Sequence, residues 1–135
     1  MFLLDTCVVS DLAKRRPAAP VVHWVKAQSE SDLFLSAVTI GEIEEGVAAL
    51  SPGSKRDALF AWVRHDLPAR FAGRILPVDV AVATAWGVVR GESSATLPAV
   101  DGFIAATAQV HSLIVVTRNV ADFRRFRVPV FNPWK

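Results

Sequence analysis

Apolar positions along the chain fall into two alternating patterns, short nearly unbroken runs and longer stretches with helical spacing. The runs Phe2 to Leu4, Leu33 to Ala37, Ile75 to Val78, Leu113 to Val116 and Val128 to Phe131 predict strands covered on both faces. Between them the spacing predicts helices from after Asp5 to before Pro17, over Pro20 to Gln28, Thr39 to Leu50, Lys55 to Phe71, Asp79 to Gly91, Val100 to His111 and Asn119 to Phe126. Ser51-Pro52-Gly53-Ser54 and Gly73 punctuate the pattern, and Glu92 to Pro98 reads as a polar loop beside Asp101. In Thr39 to Leu50 the apolar stripe is Ile40, Ile43, Val47 and Leu50, which leaves Glu42 off the stripe beside Gly46 and Ala49, where a neighbour can approach closely.

Strands alternating with helices predict a three-layer α/β/α fold with a central, mainly parallel sheet. The 135 residues fit one domain, 1–135, with no internal repeat or low-complexity tract. In such sheets ligands bind outside the carboxyl ends of the strands, where strand order reverses. Four carboxylates are predicted there: Asp5 after the first strand, Glu42 in the helix after the second, Asp101 opening the helix before the Leu113 to Val116 strand, and Asp122 in the helix after it.

Composition changes this picture in two ways. The 52% hydrophobic content is rich for a chain of this size and suggests that some apolar surface covers a partner. The longest stretch without a formal charge, Gly102 to Thr117, is interrupted by Gln109, His111 and Ser112 and is too short for a membrane span. With no basic leader before the first apolar run, the expectation is a soluble cytoplasmic protein that engages no membrane, and the single Cys7 suits a reducing compartment. The net charge of +2 is modest. Taking four carboxylates out of a balance of 15 basic and 13 acidic residues leaves about +6, which suits a polyanionic substrate. Lys14, Arg15 and Arg16, and Arg118, Arg124, Arg125 and Arg127, are phosphate contacts or simply a solvated face.

Each carboxylate taken singly also reads as a helix cap. Thr39-Ile-Gly-Glu42 matches a capping box, Asn119-Val-Ala-Asp122 resembles one, Asp5 can cap the first helix, and Asp101 lies in a first turn. Joint placement favours a site, because converging carboxylates repel one another and a divalent cation offsets the repulsion. Oxygen ligands without His or Cys point to Mg²⁺ or Mn²⁺ instead of zinc. His23, His65 and His111 lack metal-ligand spacing, and His111 near a helix C-terminus is a dipole partner. Ser10 can turn a hydroxyl toward Asp5. Trp24, Trp62, Trp86 and Trp134 are scattered and read as core or interface.

Four ordered motifs, Phe2-Leu-Leu-Asp5-Thr6-Cys7-Val-Val-Ser10, Leu35-Ser-Ala-Val-Thr39 through Glu42, Asp101-Gly-Phe-Ile-Ala-Ala-Thr-Ala108, and Thr117-Arg-Asn119 through Asp122-Phe123, resemble those of the PIN-domain ribonucleases, in particular toxins of the VapC and FitB type. The resemblance spans nearly the whole chain. It implies an endoribonuclease, the toxin of a type II toxin–antitoxin system, whose acidic set is Asp5, Glu42, Asp101 and Asp122, with Thr6, Ser10, Thr117 and Asn119 as supporting polar residues. It also implies a homodimer and a cognate antitoxin that blocks the acidic pocket. Cys7 stands where the family commonly has Asn. The expected chemistry is metal-assisted hydrolysis, with Asp5 and Asp101 holding the ion and Glu42 and Asp122 completing the pocket. A phosphatase of the haloacid-dehalogenase type wants a second Asp at Cys7, and a receiver domain wants an early acidic pair and a later Lys, so neither fits. A catalytically silent PIN-like module that only binds a partner is the remaining rival.

Overall fold

The computed structural model describes residues 1–93 and 96–135. In chain order the elements are β1 (Phe2–Leu4), α1 (Thr6–Leu12), α2 (Ala19–Ala27), β2 (Leu33–Ser36), α3 (Ala37–Ala48), α4 (Ser54–Ala61), α5 (Leu67–Arg70), β3 (Ile75–Leu76), α6 (Val80–Glu92), α7 (Ala99–His111), β4 (Ile114–Val116), α8 (Val120–Arg124) and β5 (Val130–Phe131). The strands form one parallel sheet in the order β3-β2-β1-β4-β5. Successive strand residues point to opposite faces, so Leu4 and Val116 join a core with α1, α2, α3 and the α4 to α5 segment. Leu3 and Val115 join a second core with α7 and α8, which contains Ile104, Phe123 and Phe126. The three-layer expectation is met.

Element ends differ from the predicted ones by a few residues, for local reasons. β3 stops before Pro77, and β5 begins after Pro129, since proline has no N–H for a ladder. The predicted continuous helix from Lys55 contains one widened turn, Trp62–Asp66, in which Leu67 N–H reaches back to the Trp62 carbonyl. Pro68 follows immediately and cannot donate to the preceding turn. Val63, Leu67 and Phe71 nevertheless stay buried on one face. Of the loop predicted over Glu92 to Pro98, Glu92 instead ends α6, while Ser94 and Ala95 lie outside the described residues. Among the described residues no helix is long and apolar enough to cross a membrane.

Strand order reverses at β1, since β2 and β3 continue to one side and β4 and β5 to the other. The register pairs Leu4 with Val116 and Val116 with Phe131, so Asp5, Thr117 and Asn132 leave the sheet side by side at its carboxyl edge. Asp5 N–H donates to the Val116 carbonyl at 2.9 Å and Thr117 N–H to the Phe131 carbonyl at 2.9 Å, which fixes that edge.

Candidate metal and phosphodiester site

Asp5 sits at the reversal point and is only 3% exposed. Its Oδ1 accepts the Thr6 backbone N–H at 2.8 Å, so it does cap α1. Its Oδ2 accepts the Thr117 hydroxyl at 2.7 Å and the Cys7 thiol at 3.4 Å. Thr117 is fully buried, and its hydroxyl also accepts the Asn119 backbone N–H at 3.0 Å, tying the β4 to α8 turn to Asp5. Burial, followed by the charge of Asp5, pushes the Cys7 thiol up to about 11, so it remains a neutral donor.

Glu42 comes in from α3. Ser36, not Thr39, caps this helix, with Oγ accepting Val38 N–H at 3.2 Å, so the capping-box reading of Thr39 and Glu42 does not hold. In the second turn of the helix Glu42 has no cap role, and its Oε1 instead accepts the Thr6 hydroxyl at 2.5 Å, with Thr39 Oγ1 3.2 Å from that hydroxyl. Burial, followed by the charges of Asp5 and Glu45, raises the Glu42 carboxyl, while the Thr6 hydrogen bond partly offsets this.

Asp101 lies in the first turn of α7, half-buried, with Pro98 at the cap position and no side-chain cap bond. Its carboxyl is raised from the ordinary 3.8 to about 6, first by burial and then by the charges of Asp5, Glu42 and Asp122. All four acidic residues therefore share one electrostatic neighbourhood. Asp122, in the first turn of α8, is half-buried. The Asn119 side chain makes no cap bond, so the second capping-box resemblance is not realised either.

Among the described residues no three His, Cys, Asp or Glu side chains already stand where they would grip one ion, so ligation by three of the carboxylates requires side-chain rotation. The donor chemistry nevertheless fits a hard divalent cation, with four carboxylates flanked by the Thr6 and Thr117 hydroxyls and no imidazole. The supporting residues divide. Thr6 and Thr117 hydrogen-bond to Glu42 and Asp5, whereas exposed Ser10 bonds to none of the four carboxylates and instead lines a groove beside Glu42. Asn119 contributes its backbone N–H.

Two residues that fix the packing of α7 and the end of α1 carried only weak sequence signals. Gly102 follows Asp101 where an added Cβ would lie 2.9 Å from the Trp86 ring, which stacks on Phe103 at 4.5 Å. α6 thus packs closely on α7 next to the Asp101 turn, and the hint in the sequence was an Asp-Gly pair inside a helical pattern. Asp11 is buried, accepts Ala18 N–H at 2.9 Å and pairs with Lys14 at 3.3 Å, which fixes the turn from α1 to α2. Lys14 is thus engaged in the fold.

Comparison with known proteins bears on the family and the fold. The PIN domain family matches residues 2–129. The chain is 41% identical over 137 residues to Toxin FitB of Neisseria gonorrhoeae, covering 99% of both chains, and 33% identical over 138 residues to the VapC ribonuclease Y4jK of Sinorhizobium fredii, covering 100% of this chain and 99% of that one. A solved structure of FitAB bound to an IR36 DNA fragment superposes with a TM-score of 0.92 at 40% identity, covering 100% of this chain and 96% of that one.

Proposed function

This chain belongs to the PIN-domain family of VapC and FitB toxins, and on that premise we propose that it hydrolyses RNA phosphodiester bonds with a Mg²⁺ or Mn²⁺ ion, as the toxin of a type II toxin–antitoxin pair. The observation that carries the chemistry is the bridge at the carboxyl edge of the sheet, where Thr6, next to Asp5, binds the Glu42 carboxylate from α3, with the charges of Asp5, Glu42 and Asp122 all acting on Asp101. Capping accounts for the place of Asp5 at the start of α1 but not for the gathering of four carboxylates, from three helices and a strand end, against their mutual repulsion. Asp5 and Asp101 are the residues that would hold the ion, with Glu42 and Asp122 completing the pocket. When bound, the ion supplies a Lewis acid that acidifies water and neutralises charge on the phosphate.

The remaining work falls to the chain itself. Thr117 and Cys7 donate to Asp5 Oδ2 and hold it at the sheet edge, and the α1 backbone fixes its other oxygen. Thr6 holds Glu42 toward the same centre, so α1 orients two carboxylates from consecutive residues, Asp5 and Thr6. These hydrogen bonds restrict Asp5 and Glu42, so the side-chain rotation that ligation requires is left mainly to Asp101 and Asp122.

Two surfaces support the proposed protein partners. A groove between α1, α3 and α4 has a floor including Ala13, Ile43, Val47, Leu59 and Trp62, a rim with Lys14, Arg15 and Lys55, and an end at Glu42. It suits an antitoxin helix whose following segment reaches the acidic pocket with a cation. Val78, Val80 and Val88 stand exposed on and beside α6, a face suited to a second copy of the chain. A cytoplasmic location follows from an RNA target.

The test is to incubate purified protein with a labelled structured RNA in Mg²⁺, Mn²⁺ or chelator. Cleavage that needs metal and is lost in Asp5→Asn is expected. Binding of the neighbouring gene's small protein without any RNA cleavage would instead favour the silent module.

A further inference from the structure

We infer that the cleft formed by the β4 to α8 turn and the chain after β5 binds single-stranded RNA next to the scissile bond, with Phe131 as a base-stacking platform. This deepens the nuclease reading and rests on it. The cleft is about 720 Å³ and is lined by Arg118, Asn119, Asp122, Arg124, Asn132 and Lys135 among others. Asp122 belongs both to this lining and to the acidic neighbourhood, so the cleft adjoins the proposed reaction centre. The strand register gives the same continuity, since Asp5, Thr117 and Asn132 follow one another along the carboxyl edge.

The chemistry of the lining selects the occupant. Among the described residues Arg118, Arg124 and Lys135 form no salt bridge with a carboxylate, unlike Lys14, Arg64, Arg70 and Arg74. Arg118 is held over the Trp134 ring at 4.4 Å, which fixes a guanidinium at the cleft without neutralising it. Phe131 is 38% exposed, and its ring is supported by Trp24 at 5.2 Å and 32°. An aromatic ring backed by a second ring, bordered by unpaired cations, has the composition of a single-strand groove, where cations track phosphates and a ring accepts any base. A duplex would keep its bases stacked inside and leave Phe131 unused.

The test uses the full chain in chelator, so that binding is read without cleavage. A fluorescein-labelled single-stranded RNA of about 12 nucleotides is titrated by anisotropy at several salt concentrations. Arg118→Gln/Arg124→Gln should weaken binding about tenfold or more and lower the salt slope by about 1.4, the value for two single-strand phosphate contacts. Phe131→Leu, which keeps an apolar side chain against Trp24, should weaken binding about fivefold with the salt slope unchanged. Thermal melting of each variant checks the fold, and the arginine pair is exposed, so it keeps the test valid if Phe131→Leu melts early. Wild-type affinity and slope in both variants would overturn the proposal. So would unchanged RNA binding with lost binding of the neighbouring gene's protein, which would give the cleft to an acidic protein segment. Cleavage by wild type with metal is followed separately. Its absence beside variant-sensitive RNA binding would count against the nuclease reading and leave this cleft standing.

Discussion

Replacing Asp101 by Asn should make the protein more stable in the absence of divalent metal, although it removes a first-turn carboxylate from α7. A carboxyl raised from 3.8 to about 6 corresponds to about 3 kcal/mol between its charge states. Asp101 is half-exposed, so solvent screening reduces the usable amount to about 1–1.5 kcal/mol. Against this, the variant loses the interaction of a negative charge with the helix N-terminus, about 0.5 kcal/mol. The net gain at pH 7 is therefore about 0.5–1 kcal/mol, a rise in Tm of about 2–4 °C. The sign of the pH dependence follows from linkage. The folded state holds the Asp101 proton more tightly than the unfolded chain does, so this group favours folding below pH 3.8 and loses that contribution as pH rises toward about 6. Asparagine does not titrate, so the advantage of Asp101→Asn should be small near pH 4, grow between pH 4 and 6, and level off above. Urea titration in chelator across that range measures it. A variant less stable than wild type by 1 kcal/mol or more at every pH would show that Asp101 serves mainly as a cap, and a pH-independent difference would remove the electrostatic argument for convergence.

Three further outcomes test the supports of the site. Thr117→Val leaves the buried Asp5 Oδ2 without its 2.7 Å hydroxyl donor and should cost about 2 kcal/mol in urea unfolding; a loss below about 0.5 kcal/mol would mean Cys7 alone satisfies Asp5. Gly102→Ala gains helix propensity of about 1 kcal/mol but forces a methyl to 2.9 Å from Trp86, with an overpacking cost of about 2 kcal/mol, so net destabilisation and a changed Trp86 emission are expected. A more stable variant with unchanged emission would contradict the packing argument. Cys7, pushed from 9.0 up to about 11, should react with iodoacetamide at pH 8 about a hundredfold more slowly in the folded protein than in urea, and equal rates would show that the thiol is neither buried nor held by Asp5.

Much of the architecture was legible because strands covered on both faces carry no polar alternation, and Leu3, Leu4, Val115 and Val116 show this directly. The edge location of Asp5, Asp101 and Asp122 followed from the same pattern. What misled was chemistry that two partners share. Thr39 looked like a cap because capping boxes are read from spacing, while the cap lies three residues earlier at Ser36, whose hydroxyl took the role. Ser10 looked like a site hydroxyl from its distance in sequence to Asp5, but its place on α1 points it to the groove beside Glu42. Thr6, directly after Asp5, is the hydroxyl that reaches across to Glu42, a contact spanning 36 residues that no local pattern encodes. The widened turn at Trp62–Asp66 and the fit of Gly102 against Trp86 likewise depend on tertiary packing.

The central claim is that Asp5, Glu42, Asp101 and Asp122 act as one site for a hard divalent ion. Its most direct test is a titration of purified protein with Mn²⁺, following the free-ion signal by electron paramagnetic resonance, for wild type, Asp5→Asn, Glu42→Gln, Asp101→Asn and Asp122→Asn. Saturable Mn²⁺ binding by wild type, competed by Mg²⁺ and weakened most by Asp5→Asn and Asp101→Asn and less by the other two, is the predicted result. Failure of wild type to take up Mn²⁺ at millimolar concentration, or binding that all four variants retain unchanged, would contradict it.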